Sequence, residues 1–238
     1  MKLKLKCSDF DLGFYVHFSK VKLEIKERIT MKTDKEKIKV LNNLVKHYGF
    51  QYWWEDKNRI SDWVSMILIQ QTTEKNAKKA LANLEPHLTV EKLQALELLE
   101  LQELIRPAGF YTQKSNYIKE LINWFIAHGS DLEKFRTYPT ETLRKELLTI
   151  KGVGAETADA MLLYIFERNV FIADQYAIRL FNRLGFGEYK TYAEMRKEFI
   201  HLVDGIPHDL CKEWHAAIDV HGKYFSRNKM MDESFLLV

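Results

Sequence analysis

Beyond residue 31, apolar side chains recur at three- and four-residue intervals, the period of helices that bury one face. Thr33 and Glu36 make a capping-box pair for a helix reaching about Lys46. Ser61 is placed to cap a helix reaching about Gln71, Thr73 one reaching Leu84, and Thr89 a short one. A further helix covers residues 100–105, Pro107 and Gly109 interrupt the chain, and a long helix follows over residues 113–128. Leu143, Leu147 and Leu148 form a stripe over residues 140–149, with Thr140 as cap. Ala158, Met161, Leu162 and Ile165 share one face of residues 155–167, and helices are expected near 175–184, 191–203 and 210–222. Residues 1–30 depart from this period. Lys2 to Lys6 alternates charge and leucine, and parts of the stretch from Phe14 to Ile25 alternate too, which suits a short β-hairpin or a loose basic tail. The fold class is all-α, with residues 1–30 as an N-terminal extension.

Between the two helices around position 150, Lys151-Gly152-Val153-Gly154 must reverse the chain. Glycine at two positions permits positive φ and leaves backbone amides uncovered. Those amides stand at a helix start, where the dipole favours an anion. A DNA phosphate fits, with Lys151 adding a point charge; an ordinary tight turn fits the same four residues. An apolar run, Val170 to Ala173, then leads to a lone acid, Asp174, placed to cap the next helix.

The wider block, Leu147-x-x-Ile150-Lys151-Gly152-Val153-Gly154-Ala155-Glu156-Thr157-Ala158, resembles the helix-hairpin-helix of the endonuclease III, or HhH-GPD, superfamily of DNA glycosylases. Trp53-Trp54, Leu68-Ile69-Gln70-Gln71-Thr72 and the stretch from Leu104 to Lys114 resemble its cluster-free, 3-methyladenine-glycosylase-like branch. The resemblance spans about residues 33–225. It implies two helical lobes with a central cleft. One is continuous over residues 51–168 and includes the helix-hairpin-helix; the other joins residues 31–50 to 169–238. It also implies an essential Asp eighteen residues after a position that is Lys in lyase members. Here that pair is Glu156 and Asp174. By the same resemblance Asp174 is catalytic and Lys151, Gly152, Val153 and Gly154 hold DNA. Gln70 fills the gap left by a flipped base, Phe110 wedges the opposite strand, and Trp53 and Trp54 line the base pocket.

Glu156 cannot form the Schiff base that a lysine forms. Its own position, the first turn of a helix, suits an acid that complements the dipole, with a pocket role as the alternative. Lys223 reads as a surface lysine or as a cleft residue from the last helix. The implied activity is therefore monofunctional base removal in base excision repair. An alkylated purine such as 3-methyladenine carries positive charge, leaves readily, and is attracted to an aromatic face by about 0.5–2 kcal/mol. A non-catalytic helix-hairpin-helix DNA-binding protein, and a glycosylase for another lesion, remain open at this stage.

Composition narrows the classes. A 46% hydrophobic content excludes wholesale disorder. Only Cys7 and Cys211 are present, so a four-thiolate iron–sulfur cluster of the kind many relatives hold is impossible. Two distant cysteines suit a reducing compartment, and neither a secretory signal nor an apolar run of the ~18 residues a membrane helix needs is found. These features predict an intracellular, cytoplasmic protein that acts as a monomer. The histidines show no ligand spacing, His215 and His221 lacking a third partner, so neither metal nor cofactor is expected. The expected partner is double-stranded DNA containing damaged bases. The net charge of +3 resides wholly in residues 1–30, with seven Lys/Arg against four Asp/Glu. DNA binding must then rest on local groups: Lys75, Lys78 and Lys79; Lys114; Lys151; and Arg179 with Arg183.

Overall fold

The computed structural model describes residues 33–54 and 58–238. The alternating pattern of residues 1–30, and the β-hairpin it suggested, lie outside them. Every regular element among the described residues is helical. Helix α1, Asp34–Tyr48, opens on the expected capping box of Thr33 and Glu36. Helix α2, Arg59–Leu68, is capped by Asn58, whose side chain accepts from the amides of Ile60 and Ser61. Ser61, expected as the cap, is buried inside the first turn, because the amide oxygen three residues earlier already satisfies the free donors. The helix also stops short of Gln71, which takes φ +51°. Thr73 and Thr89 cap α3, Glu74–Leu84, and α4, Val90–Ala95, as expected.

Helix α5, Leu98–Ile105, runs into a 3₁₀ turn at Arg106–Ala108, and Gly109 and Phe110, both at positive φ, redirect the chain into α6, Tyr111–Ala127. Helix α7, Thr140–Leu147, follows Pro139 and has no side-chain cap, so Thr140 is its first residue rather than its cap. Helix α8, Ala155–Tyr164, ends three residues before the expected helix does, and the chain turns at Glu167 with φ +53°. Asp174 caps α9, Gln175–Arg183; Thr191 and Glu194 box α10, Tyr192–Phe199; and α11, His208–Arg227, outruns the expected helix at both ends. No helix among the described residues is long and apolar enough to cross a membrane.

Two packing groups position the site. Trp63, Val64 and Ile67 of α2 are buried with Leu121, Ile122 and Phe125 of α6 and Leu162 of α8, and Trp63 meets Phe125 edge-on at 4.6 Å. Helix α1 lies along α11, burying Leu41, Leu44, Trp214 and Ala217, and the Trp214 Nε1 donates to Asn42 at 3.0 Å. Asp159 joins the hairpin helices to α10. Fully buried, it accepts from Arg144 at 2.7 Å, from the Tyr192 hydroxyl at 2.8 Å and from Arg196 at 2.8 Å.

The tail after α11 contains no cysteine. It is held instead by polar contacts: Glu233 pairs with Arg183 and accepts from His221 at 2.7 Å, and His221 Nδ1 lies 2.9 Å from the Tyr48 hydroxyl. Asn43 donates to the Phe235 and Leu236 carbonyls. Cys211, on α11, is free and buried.

Candidate active site

The hairpin between α7 and α8 closes on a bond from the Val153 amide to the Ile150 carbonyl at 3.0 Å. Gly152 is required twice over: its φ is +93°, and a Cβ there would stand 2.1 Å from the Tyr117 ring. Gly154 is different. Its backbone is extended, nothing lies within 4 Å of a Cβ built on it, and it caps α8 without a side chain. The expectation that both glycines supply positive φ is thus corrected to Gly152 alone. What Gly154 contributes is open space over the uncapped first amides of α8, which suits an anion. Val153 is buried under the turn, and Lys151 is exposed beside it.

Facing the hairpin is a polar cavity of about 300 Å³ lined by Gln70, Gln71, Phe110, Gln113, Lys114 and the glycine turn. Phe110 is 61% exposed and holds φ +46°. Left-handed backbone at a bulky residue is strain of about 1–3 kcal/mol, retained where surroundings enforce it. The amide of Gln70 does not project freely. It donates to the Gly152 carbonyl at 3.0 Å and to the Thr157 hydroxyl at 3.2 Å, bracing the hairpin, while Gln71 beside it is exposed. Lys114 is corrected as a phosphate contact: it is buried, its Nζ donating to the Leu68 and Ala108 carbonyls at 2.8 and 2.9 Å. Lys78 pairs with Glu74, and Arg183 with Glu233, which leaves Lys75, Lys79, Lys151 and Arg179 as exposed cations of the groups named from sequence.

Around the other side of Gln70 opens a cavity of about 400 Å³, walled by Trp53, Trp54, Met66, Glu156, Tyr164 and His215, among others. Trp54 tilts over Tyr164 at 6.0 Å, and Trp53 is 45% exposed. Both tryptophans ride on a segment anchored by Glu213 of α11. This fully buried carboxylate accepts the amides of Gln51 at 2.8 Å and Tyr52 at 3.2 Å. Lys223 is not part of the cavity wall. It lies 5.6 Å over the Trp53 ring, bridging Glu74 of α3 at 3.1 Å and Asp219 at 2.7 Å.

Two acids set the electrostatics. Asp174 is half-buried, its Oδ1 accepting the Ala177 amide at 2.8 Å. Burial lifts its carboxyl to about 6, with Asp219 adding to the rise and the Ala177 amide opposing it. Asp174 stands two residues beyond Ile172, which lines the cavity, and its charge reaches Glu156 and Tyr164 in the wall. Glu156 faces the cavity, and desolvation and the charge of Asp174 both push its carboxyl upward. A carboxylate held near an aromatic cleft is placed to stabilise a forming cation. Sequence reasoning missed Glu213, Tyr164 and His215, whose partners lie more than fifty positions away.

Comparison with known proteins follows the same lines. Residues 64–205 match the family model described as HhH-GPD superfamily base excision DNA repair protein. A Methanocaldococcus jannaschii protein assigned as a DNA repair glycosylase is 38% identical over 200 residues, covering 81% of this chain and 90% of that protein. Endonuclease III of Thermotoga maritima is 28% identical, covering 73% and 78%. Among solved structures, the 3-methyladenine DNA glycosylase MagIII of H. pylori, bound to 1,N6-ethenoadenine, superposes with a TM-score of 0.65 at 25% identity, covering 83% of this chain and 97% of that one.

Proposed function

The chain belongs to the HhH-GPD superfamily of base excision DNA repair proteins, and within that family of DNA glycosylases we propose that it is monofunctional, hydrolysing the N-glycosidic bond of an alkylated purine without cutting the strand. The observation that carries this reading is a carboxylate, Glu156, in the pocket wall at the position of the lyase lysine, within reach of the charge of Asp174, which is anchored as the cap of α9. Among the described residues no amine lines that wall to attack the sugar.

On this reading residues 51–168 form one lobe, residues 31–50 with 169–238 the other, and the damaged nucleotide turns out of double-stranded DNA into the 400 Å³ cavity between them. The hairpin of Lys151, Gly152, Val153 and Gly154 grips the backbone. Phe110 wedges into the stack, and Gln70, on release of its amide from the Gly152 carbonyl and Thr157 hydroxyl, occupies the gap that opens beside Gln71. The base enters between Trp53, Trp54 and Tyr164, while Glu156 and Asp174 make the pocket negative, which favours a cationic base over a neutral one. As the glycosidic bond lengthens, positive charge moves to the sugar and is met by the Asp174 carboxylate. The alkylated base departs neutral. Water adds to the sugar carbon, and its proton passes to the carboxylate, leaving an abasic site.

The test is a screen of bases released from alkylated, oxidised and uracil-containing duplexes, with and without later alkali. Release of alkylated purine with strand breaks only after alkali is the expected result. Breaks without alkali, trapped by borohydride, overturn the monofunctional assignment. Release confined to uracil or oxidised bases overturns the lesion class, and tight binding with no release overturns catalysis.

A further inference from the structure

His215 of α11 takes no part in the reaction just described. Its ring lines the 400 Å³ cavity, and its Nδ1 lies 2.6 Å from the Tyr164 hydroxyl. Its Nε2 makes no hydrogen bond among the described residues. Nor is Nε2 sealed off without a partner, as the corresponding nitrogen of His208 is, so it opens into the cavity. The tyrosine fixes which nitrogen carries the proton. A phenol has one proton to give, and among the described residues no acceptor other than His215 is bonded to the Tyr164 hydroxyl. Were the imidazole to donate through Nδ1, the phenol proton would be stranded in a desolvated site, a cost of the size of a whole hydrogen bond. Burial raises the Tyr164 phenol, which keeps its proton, and lowers His215, which keeps the ring neutral. The phenol therefore donates to Nδ1, and the single ring proton sits on Nε2.

We propose that His215 is a neutral hydrogen-bond donor of the base pocket, aimed by Tyr164, and that it selects an extruded purine presenting a ring-nitrogen acceptor towards α11. The proposal rests on the alkylated-purine reading and sharpens it. A neutral donor reads an acceptor on a cationic base without setting a second positive charge against it, as an imidazolium would. A base that turns an amino group to this position meets hydrogen against hydrogen and is rejected. Such discrimination is strong because the site's own polar group is then left unpaired.

Two measurements on the full-length protein test this. The first is the ¹⁵N spectrum of the His215 ring without ligand. The expected pattern is a proton-bearing Nε2 and an acceptor Nδ1, with mixed tautomers in Tyr164→Phe. A proton on Nδ1 overturns the proposal. The second is binding of free 3-methyladenine and of its 1-deaza and 7-deaza analogues to the wild type and to His215→Phe. The wild type is expected to bind at least one analogue about 10-fold more weakly than 3-methyladenine. The variant should bind 3-methyladenine about 10-fold more weakly and no longer distinguish it from that analogue. Equal losses for all three bases, or none, also overturn the proposal. A wild type that neither binds nor releases alkylated purine sinks the lesion reading and this ligand with it, whereas the ligand-free spectrum judges the donor by itself.

Discussion

At the scale of single residues, the Asp174 carboxylate caps α9, and the proposed reaction assigns the sugar cation to the same group. Burial lifts it to about 6, above an ordinary aspartate, so the ionised form is the one the fold disfavours. Base release should therefore fall as pH drops through about 6, close to 10-fold per unit below it, in single-turnover assays. The stability sign runs the other way. Above the folded value the native state carries a cost on the order of 1–3 kcal/mol, and below the unfolded value of about 4 the cost is absent. Asp174→Asn keeps a capping side chain. It should raise Tm at pH 7.5 and leave Tm unchanged near pH 3.5, while base release drops at least ~100-fold. Wild-type release from the Asn variant would refute the assigned chemistry. Glu213 gives a second residue-scale prediction. Glu213→Ala strips the anchor from the amides of Gln51 and Tyr52, and should cost about 2–3 kcal/mol in urea unfolding. It should also alter tryptophan fluorescence and weaken base binding. The cap at Asp174 was legible in the sequence because an acid placed just before a helical stretch is a property of the chain. Glu213, Tyr164 and His215 were not, because each is defined by a partner that only the fold brings close.

Among the elements, the two hairpin glycines are separable, and their separation tests the turn as a phosphate grip. Gly152→Ala forces a side chain into positive φ and onto the Tyr117 ring, and should destabilise the protein by about 2–4 kcal/mol. Gly154→Ala meets nothing within 4 Å on an extended backbone, so its Tm should stay near wild type. Its methyl would stand over the α8 amides, and duplex affinity should fall roughly 10-fold, measured by anisotropy at fixed salt. Unchanged affinity in Gly154→Ala would reduce the hairpin to a turn. Periodicity located these helices well, because burial of one face imposes the stripe that Leu143 and Leu147 show. Helix ends were harder to read. Asn58 displaced Ser61 as a cap, Pro139 left Thr140 inside the first turn, and left-handed residues at Gln71 and Glu167 ended helices whose apolar pattern ran on. Such ends depend on which nearby polar group reaches the free amides first, and several candidates in the sequence are equally suited.

For the whole molecule, the helices gather segments distant in sequence, from Trp53 to His215, around one pocket, and α1 packs along the helix that carries His215. The tail shows why composition alone underdetermined this end: Tyr48, Arg183, His221 and Glu233 tie it down with a hydrogen-bonded knot, and nothing in their spacing announces it. Charge is distributed just as unevenly. Residues 31–238 are formally neutral, so they offer DNA local cations and helix amides rather than a field, and the +3 surplus belongs to residues 1–30. Specific grip and general attraction should therefore be separable by truncation. A chain starting at Met31 is expected to keep its Tm and its single-turnover release rate, since Asp174, the pocket and the hairpin all lie beyond residue 31. Its affinity for undamaged duplex should drop roughly 10-fold at 100 mM salt, and the slope of log affinity against log salt should flatten by up to about three phosphate contacts. A truncated protein with an unchanged salt slope would place the electrostatic attraction on Lys75, Lys79, Lys151 and Arg179 instead.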